Sequence, residues 1–136
     1  MAILEGTETV LIVDDETFML SLAELMLTRL GYTVLTATSG KEVLHMLEVW
    51  PDLKIDIAVL DVVMPMMDGF ELAERVRKLK PRLPILYMSA YPEKAELRPE
   101  QTRDVPFVPK PFTSINLAGK IREVLDSPHL HASGQS

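Results

Sequence analysis

A chain of 136 residues, 47% hydrophobic and 25% charged, is long enough for one domain with its own core and has the composition of a globular protein. Its formal net charge of −6 argues against nucleic acid and anionic membrane as direct partners. Cysteine is absent, which removes disulfides, thiolate catalysis and thiolate metal sites, and no apolar run has the length of a membrane span.

Residues 1–8 carry two glutamates and no basic cluster, unlike a secretory leader, so a cytoplasmic protein is expected. They read as a lead-in to a single domain over residues 9–126. Residues 9–13 are apolar and rich in β-branched side chains, and this expected first strand ends at Asp14 and Asp15. A helix over residues 16–30 follows, stopped by Gly31. A second strand spans residues 32–37. Ser39 then caps a helix over 41–50, and Pro51 ends it. The third strand, residues 56–60, is an almost wholly apolar run that delivers Asp61 at its end. Asp68 and Gly69 form a turn, with Gly69 expected at positive φ. A helix over 70–79 follows and is closed by Pro81. The fourth strand, residues 84–88, ends at Ser89. Between Tyr91 and Asp104, Pro92 and Pro99 leave room for a fourth helix of only about two turns, over residues 93–98. The fifth strand, residues 105–108, runs into Pro109-Lys110-Pro111, and Thr113 caps a last helix over 114–125. Residues 127–136 are small and polar and are expected to form a flexible tail.

Strands alternating with helices mean βαβ units and a parallel sheet. Right-handed crossovers place helices on both faces. The expected fold is α/β, a flavodoxin-like doubly wound three-layer sandwich. Its five-stranded parallel sheet has the order 2-1-3-4-5, with five helices of which the fourth is short or irregular. Ligands of such sheets bind at the carboxyl edge, where the strand order reverses between strands 1 and 3. Those are the two strands that end in aspartates.

Asp14, Asp15 and Asp61 should therefore converge. Two like charges about 4 Å apart repel by about 4 kcal/mol at an effective dielectric of 20. Such a cluster calls for a hard divalent cation, and Mg²⁺ suits because it takes oxygen ligands and joins carboxylates to phosphate. Lys110 adds an ammonium from the fifth strand, and Ser89 adds a hydroxyl from the fourth. Together these groups suit phosphoryl transfer, where positioning and charge neutralisation dominate, and a carboxylate is a competent acceptor. The plain structural readings are acids at a helix N-terminus for Asp14 and Asp15, a loop cap for Asp61, a turn residue for Ser89 and a surface lysine for Lys110.

Four motifs, Val13-Asp14-Asp15-Glu16, Leu60-Asp61-Val62-Val63-Met64-Pro65, Met88-Ser89-Ala90 and Lys110-Pro111-Phe112, resemble the receiver domain of two-component response regulators. The resemblance covers about residues 8–126. The surroundings of Thr9 and of Tyr91-Pro92 are similar to receivers attached to hybrid sensor kinases. The resemblance implies that Asp61 accepts a phosphoryl group and that Asp15, Asp61 and the backbone carbonyl of Val63 hold Mg²⁺, with Asp14 helping through water. It also implies that Lys110 pairs with the phosphorylated aspartate and that Ser89 moves to bond the phosphoryl group. Phe107 takes the place of the switch aromatic, three residues before the lysine. Such a domain promotes only its own phosphorylation and dephosphorylation. Its expected partner is a sensor histidine kinase or a histidine phosphotransfer domain, and a weak homodimer is compatible with it. Met66 departs from the pattern, since the family usually has a small residue or glycine there.

Three other functions fit less well. A haloacid-dehalogenase-like phosphatase needs a second aspartate two residues after the nucleophile, where this chain has Val63. A nucleotide or flavin binder on this fold needs a glycine-rich phosphate loop, which is absent. A degenerate receiver used only for docking does not need the full acidic set with Lys110. His45, His129 and His131 lack the spacing for a metal site, and Met64, Met67 and Trp50 read as packing. On the first helix Met19, Ala23, Met26 and Leu30, bordered by Leu27, should face the sheet. Phe18, Leu22 and Leu25 form a second apolar stripe. It is either covered by the last helix or exposed as a docking surface for a kinase helix.

Overall fold

The structure, a computed structural model, describes residues 3–90 and 106–127. The two central runs of the sequence set the frame. β1 (Thr9–Val13) and β3 (Ile57–Asp61) pair in parallel at the middle of a five-stranded sheet. β2 (Thr33–Ala37) lies outside β1, and β4 (Ile85–Ser89) and β5 (Phe107–Pro109) lie outside β3, all parallel. The order is therefore β2-β1-β3-β4-β5, as expected. Among the described residues the helices are α1 (Thr17–Arg29), α2 (Gly40–Val49), α3 (Gly69–Leu79) and α4 (Ser114–Leu125). The expected short helix with Pro92 and Pro99, and the tail from residue 128, lie outside the described residues.

Strand side chains alternate between two cores, as a period of two requires. Leu11 and Val13, Ala58 and Leu60, and Ile85 and Tyr87 pack with Val43, Leu47, Phe70 and Val76 of α2 and α3. Val10 and Ile12, Ile57 and Val59, and Leu86 and Met88 pack with Leu20, Ala23 and Leu27 of α1 and Leu117 and Ile121 of α4. Each fully buried aliphatic side chain stabilises the fold by about 1.5–3 kcal/mol.

Local chemistry fixes the ends. Ser39, Asp68 and Thr113 accept from the backbone N–H groups of Glu42 (3.1 Å), Glu71 (2.8 Å) and Asn116 (3.1 Å). Each satisfies one orphan donor of a first helical turn. α1 ends in a Schellman motif: Gly31 (φ 103°) donates to Thr28 and Tyr32 donates to Leu27.

Several expectations shift. β3 begins at Ile57, because Asp56 turns its carboxylate onto the Thr9 N–H at 2.8 Å. β4 runs from Ile85 to Ser89. Gly69 is not at positive φ. Among the described residues that conformation belongs to Gly31 and to Met66 (φ 71°). Gly69 is needed for space, since a Cβ there would collide with the carbonyl oxygen of Asp61. On α1 the buried residues are Leu20, Ala23 and Leu27, with Met19, Met26 and Leu30 half-buried beside them. The sheet-facing stripe is thus centred on Leu20, not Met19. The lead-in is fastened: Gly6 donates to Leu30, and Leu4 accepts from the Tyr32 hydroxyl at 2.9 Å.

Candidate functional site

The sheet carries its pairing one residue beyond three strands, and this anchors the carboxyl edge. Asp14 donates its N–H to Ala37 (3.1 Å), Val62 to Met88 (3.0 Å) and Lys110 to Ser89 (2.9 Å). Asp14, Asp61, Ser89 and Lys110 are therefore held by backbone on adjacent strands. Asp14, Asp61 and Ser89 are buried, and Asp15, at the first residue of the turn, is exposed.

Lys110 joins the site. Its Nζ lies 2.8 Å from Asp14 Oδ2, 3.3 Å from Asp61 Oδ2 and 3.5 Å from Glu16 Oε1, and its side chain is only 6% exposed. Asp14 Oδ1 accepts from the Glu16 N–H at 2.9 Å, which also starts α1 in place of a capping side chain. Asp61 Oδ1 accepts from the Val63 N–H at 3.3 Å. Carboxylate oxygens of Asp14, Asp15 and Asp61 lie within 4.8 Å of one another.

The charges do not balance. Burial, then the charge of Asp14, push the Asp61 carboxyl up from 3.8 to about 7, with Lys110 pulling the other way. Burial pulls Lys110 down, but the Asp14 hydrogen bond and the Asp61 charge outweigh it, and the ammonium is held above its ordinary range. One buried ammonium thus serves two buried carboxylates, with a third on the solvent side. This donor set fits a hard divalent cation: oxygen ligands, excess negative charge and one wall open to water.

Most sequence-predicted residues converge here. Asp14, Asp15, Asp61 and Lys110 form the pocket, Val63 borders it, and Ser89 ends the strand beside Asp61. Phe107 stands apart, half-buried on the α2–α3 side. Its ring packs on Tyr87 at 5.4 Å, and Tyr87 packs edge-on against Phe70 at 4.8 Å. Phe18 (76% exposed) and Leu25 (49%) are not covered by α4, while Leu22 is half-buried. The sequence reading passes over Glu16 and Tyr87. Glu16 directly follows the acidic pair, and Tyr87 shares a strand face with Ser89, so each had a positional signal.

Residues 10–122 match the family model described as response regulator receiver domain. The chain is 39% identical over 125 residues to the sensor kinase CckA of Brucella abortus (strain 2308), spanning 90% of this chain and 13% of that one. It is 35% identical over 118 residues to the alkaline phosphatase synthesis transcriptional regulatory protein PhoP of Bacillus subtilis (strain 168), spanning 85% and 48%. The chain thus spans about half, or much less, of the curated relatives it matches. A CheY-like receiver domain protein from Methanospirillum hungatei JF-1 superimposes with a TM-score of 0.77 at 28% identity, covering 94% of this chain and 99% of that one. Among the described residues no helix is long and apolar enough to cross a membrane.

Proposed function

The chain belongs to the response regulator receiver domain family, and from that premise we propose that it takes a phosphoryl group from a phosphohistidine onto Asp61. The observation that carries this reading is the sharing of Lys110 between Asp14 and Asp61 within a cluster of three carboxylates. The donor is a sensor histidine kinase or a histidine phosphotransfer domain, met in the cytoplasm. An Asp61 oxygen attacks phosphorus, the P–N bond breaks, and the imidazole leaves and takes a proton from solvent. The product is an acyl phosphate on Asp61.

Each pocket residue has a role in that step. Asp15, Asp61 and the Val63 carbonyl would hold Mg²⁺, with Asp14 acting through water. The ion supplies neutralisation of the phosphoryl oxygens. Lys110 starts on Asp14 and Asp61 and follows the charge onto the phosphoryl group. The Val63 N–H holds Asp61 Oδ1, and Oδ2, which starts on Lys110, is the attacking oxygen. Ser89 then closes on the phosphoryl group, and Phe107 moves with it to change the surface around β4 and β5. Phe18, Leu22 and Leu25 receive the kinase helix. They follow closely on Asp15, so a helix held there presents its phosphohistidine to Asp61.

The test uses a small phosphodonor, acetyl phosphate, with Mg²⁺. The wild type acquires a hydroxylamine-sensitive phosphoryl group and Asp61→Asn acquires none. Equal labelling of the two proteins overturns the assignment.

A further inference from the structure

The cations of this acidic chain are unevenly placed. Residues 75–82 hold five of its fourteen Lys and Arg residues and no acid. They form the last turns of α3 and the segment that leaves it. Lys80 Nζ donates to the carbonyl oxygens of Leu53 (3.0 Å) and Pro51 (3.4 Å), tying the end of α3 to the loop between α2 and β3. Among the described residues the exposed Lys54, Lys78 and Arg82 pair with no carboxylate. A helix dipole accounts for cations in the last turn. It does not account for Lys54 or Arg82, which lie off the helix.

Two of these cations, Lys80 and Arg82, line a groove of about 670 Å³ along the amino edge of the sheet, with Ile55, Pro81, Leu83, Pro84 and Leu125 as its apolar lining. Its polar lining is Glu8, Asp56, Lys80 and Arg82. The two acids are already engaged, Glu8 by Arg122 and Asp56 by the Thr9 N–H. Among the described residues Lys80 is bonded only to carbonyls, and Arg82 is exposed. Trp50 (60% exposed) and Leu79 (52%) stand at the same helix–loop junction.

We propose that this amino-edge groove docks an acidic peptide segment of a partner protein that carries a leucine-sized anchor. The unneutralised cations steer and hold the acids, and the apolar lining takes the anchor. A concave, partly apolar site takes an inserted side chain, which a flat lipid surface does not offer and a nucleic-acid backbone does not carry. The groove lies at the opposite edge of the sheet from Asp61, so the proposal stands independently of the phosphoacceptor reading.

Trp50 is the chain's single tryptophan and reports on this junction. The experiment titrates the protein with a synthetic peptide of repeated Glu-Leu-Glu-Glu units and follows Trp50 fluorescence. The expected result is a saturable change that weakens about tenfold or more in the double variant Lys54→Glu, Arg82→Glu. Replacing the peptide's leucines with serine weakens it comparably. Circular dichroism confirms the variant's fold, and Lys54→Gln with Arg82→Gln replaces it if the reversal unfolds. The proposal is overturned by the absence of a saturable change, by equal affinity of wild type and variant, by equal affinity of the serine peptide, or by tighter association with phosphatidylglycerol vesicles or duplex DNA.

Discussion

The two edges of the sheet use the same kinds of side chain to opposite ends. At the amino edge the Arg122 guanidinium forks onto Glu8 at 2.8 and 2.9 Å, reaches Asp126 at 2.6 Å and meets the Tyr32 hydroxyl at 3.2 Å. Glu8 and Asp126 both bond Arg122, which holds their carboxyls below the usual range. At the carboxyl edge Lys110 is outnumbered, and Asp61 is pushed up instead of down. The contrast lies in geometry and burial. A bidentate guanidinium at a half-open rim satisfies its carboxylates. A point-like ammonium among buried carboxylates leaves them in excess. The balanced edge fastens the lead-in and α4 to the sheet, and the unbalanced edge is primed for added positive charge.

The largest effect that sharpens this comparison is loss of function confined to one edge. Lys110→Met should leave the protein folded and lower phosphorylation from acetyl phosphate at least a hundredfold, since charge neutralisation in such steps is worth about 3 kcal/mol. Initial labelling rates measure it. At the other edge, Arg122→Ala should destabilise by about 2 kcal/mol, because it removes the charge-assisted fork onto Glu8 and the bond to Asp126, yet leave the labelling rate unchanged. Urea unfolding gives the first number and the same labelling assay gives the second. A fall in both would mean that the edges are not separable.

A smaller effect separates the pocket from its docking surface. Leu22→Asp with Leu25→Asp should slow transfer from the cognate kinase about tenfold, or 1.4 kcal/mol, while acetyl phosphate labelling is unchanged. Equal slowing with both donors would place the stripe in the core. The smallest effect concerns the loop after β3. Met66 is fully exposed at φ 71°, a conformation that costs a residue with a Cβ about 1 kcal/mol. Met66→Gly should therefore raise stability by a few tenths to about 1 kcal/mol in urea titration, with no change in labelling.

The same contrast explains what could be read from the sequence. β1 and β3 were legible because strands buried on both faces are continuous apolar runs. The pocket was legible because each of its residues directly follows such a run. Which of Asp14 and Asp15 lies inside was not, since it depends on whether the ladder continues past Val13, and the Asp14–Ala37 bond is what continues it. The phase of α1 differs from the expected one because Met19 and Leu20 are both apolar, and only packing against β1 and α4 chooses between them. Gly69 was identified as necessary for the wrong reason. A glycine in a sequence does not show whether φ or crowding demands it, and here the Asp61 carbonyl does. The amino-edge network joins Glu8 to Arg122 across 114 residues, so no local pattern announces it.

Asp61 is held unfavourably charged until positive charge is added beside it. The unfolded chain releases this proton near 3.8, whereas the folded protein keeps it to about 7. Between those values the folded state binds more protons than the unfolded state, so this carboxyl lowers stability as pH rises through the window and by a constant amount above it. The direct measurement is the unfolding free energy of wild type and Asp61→Asn from pH 4 to pH 8, in chelator and then in Mg²⁺. In chelator the variant should gain on the wild type across the window, by about 4 kcal/mol at pH 8. Mg²⁺ should close that gap by stabilising the wild type alone. Parallel curves in chelator, or equal stabilisation of both proteins by Mg²⁺, would contradict the account.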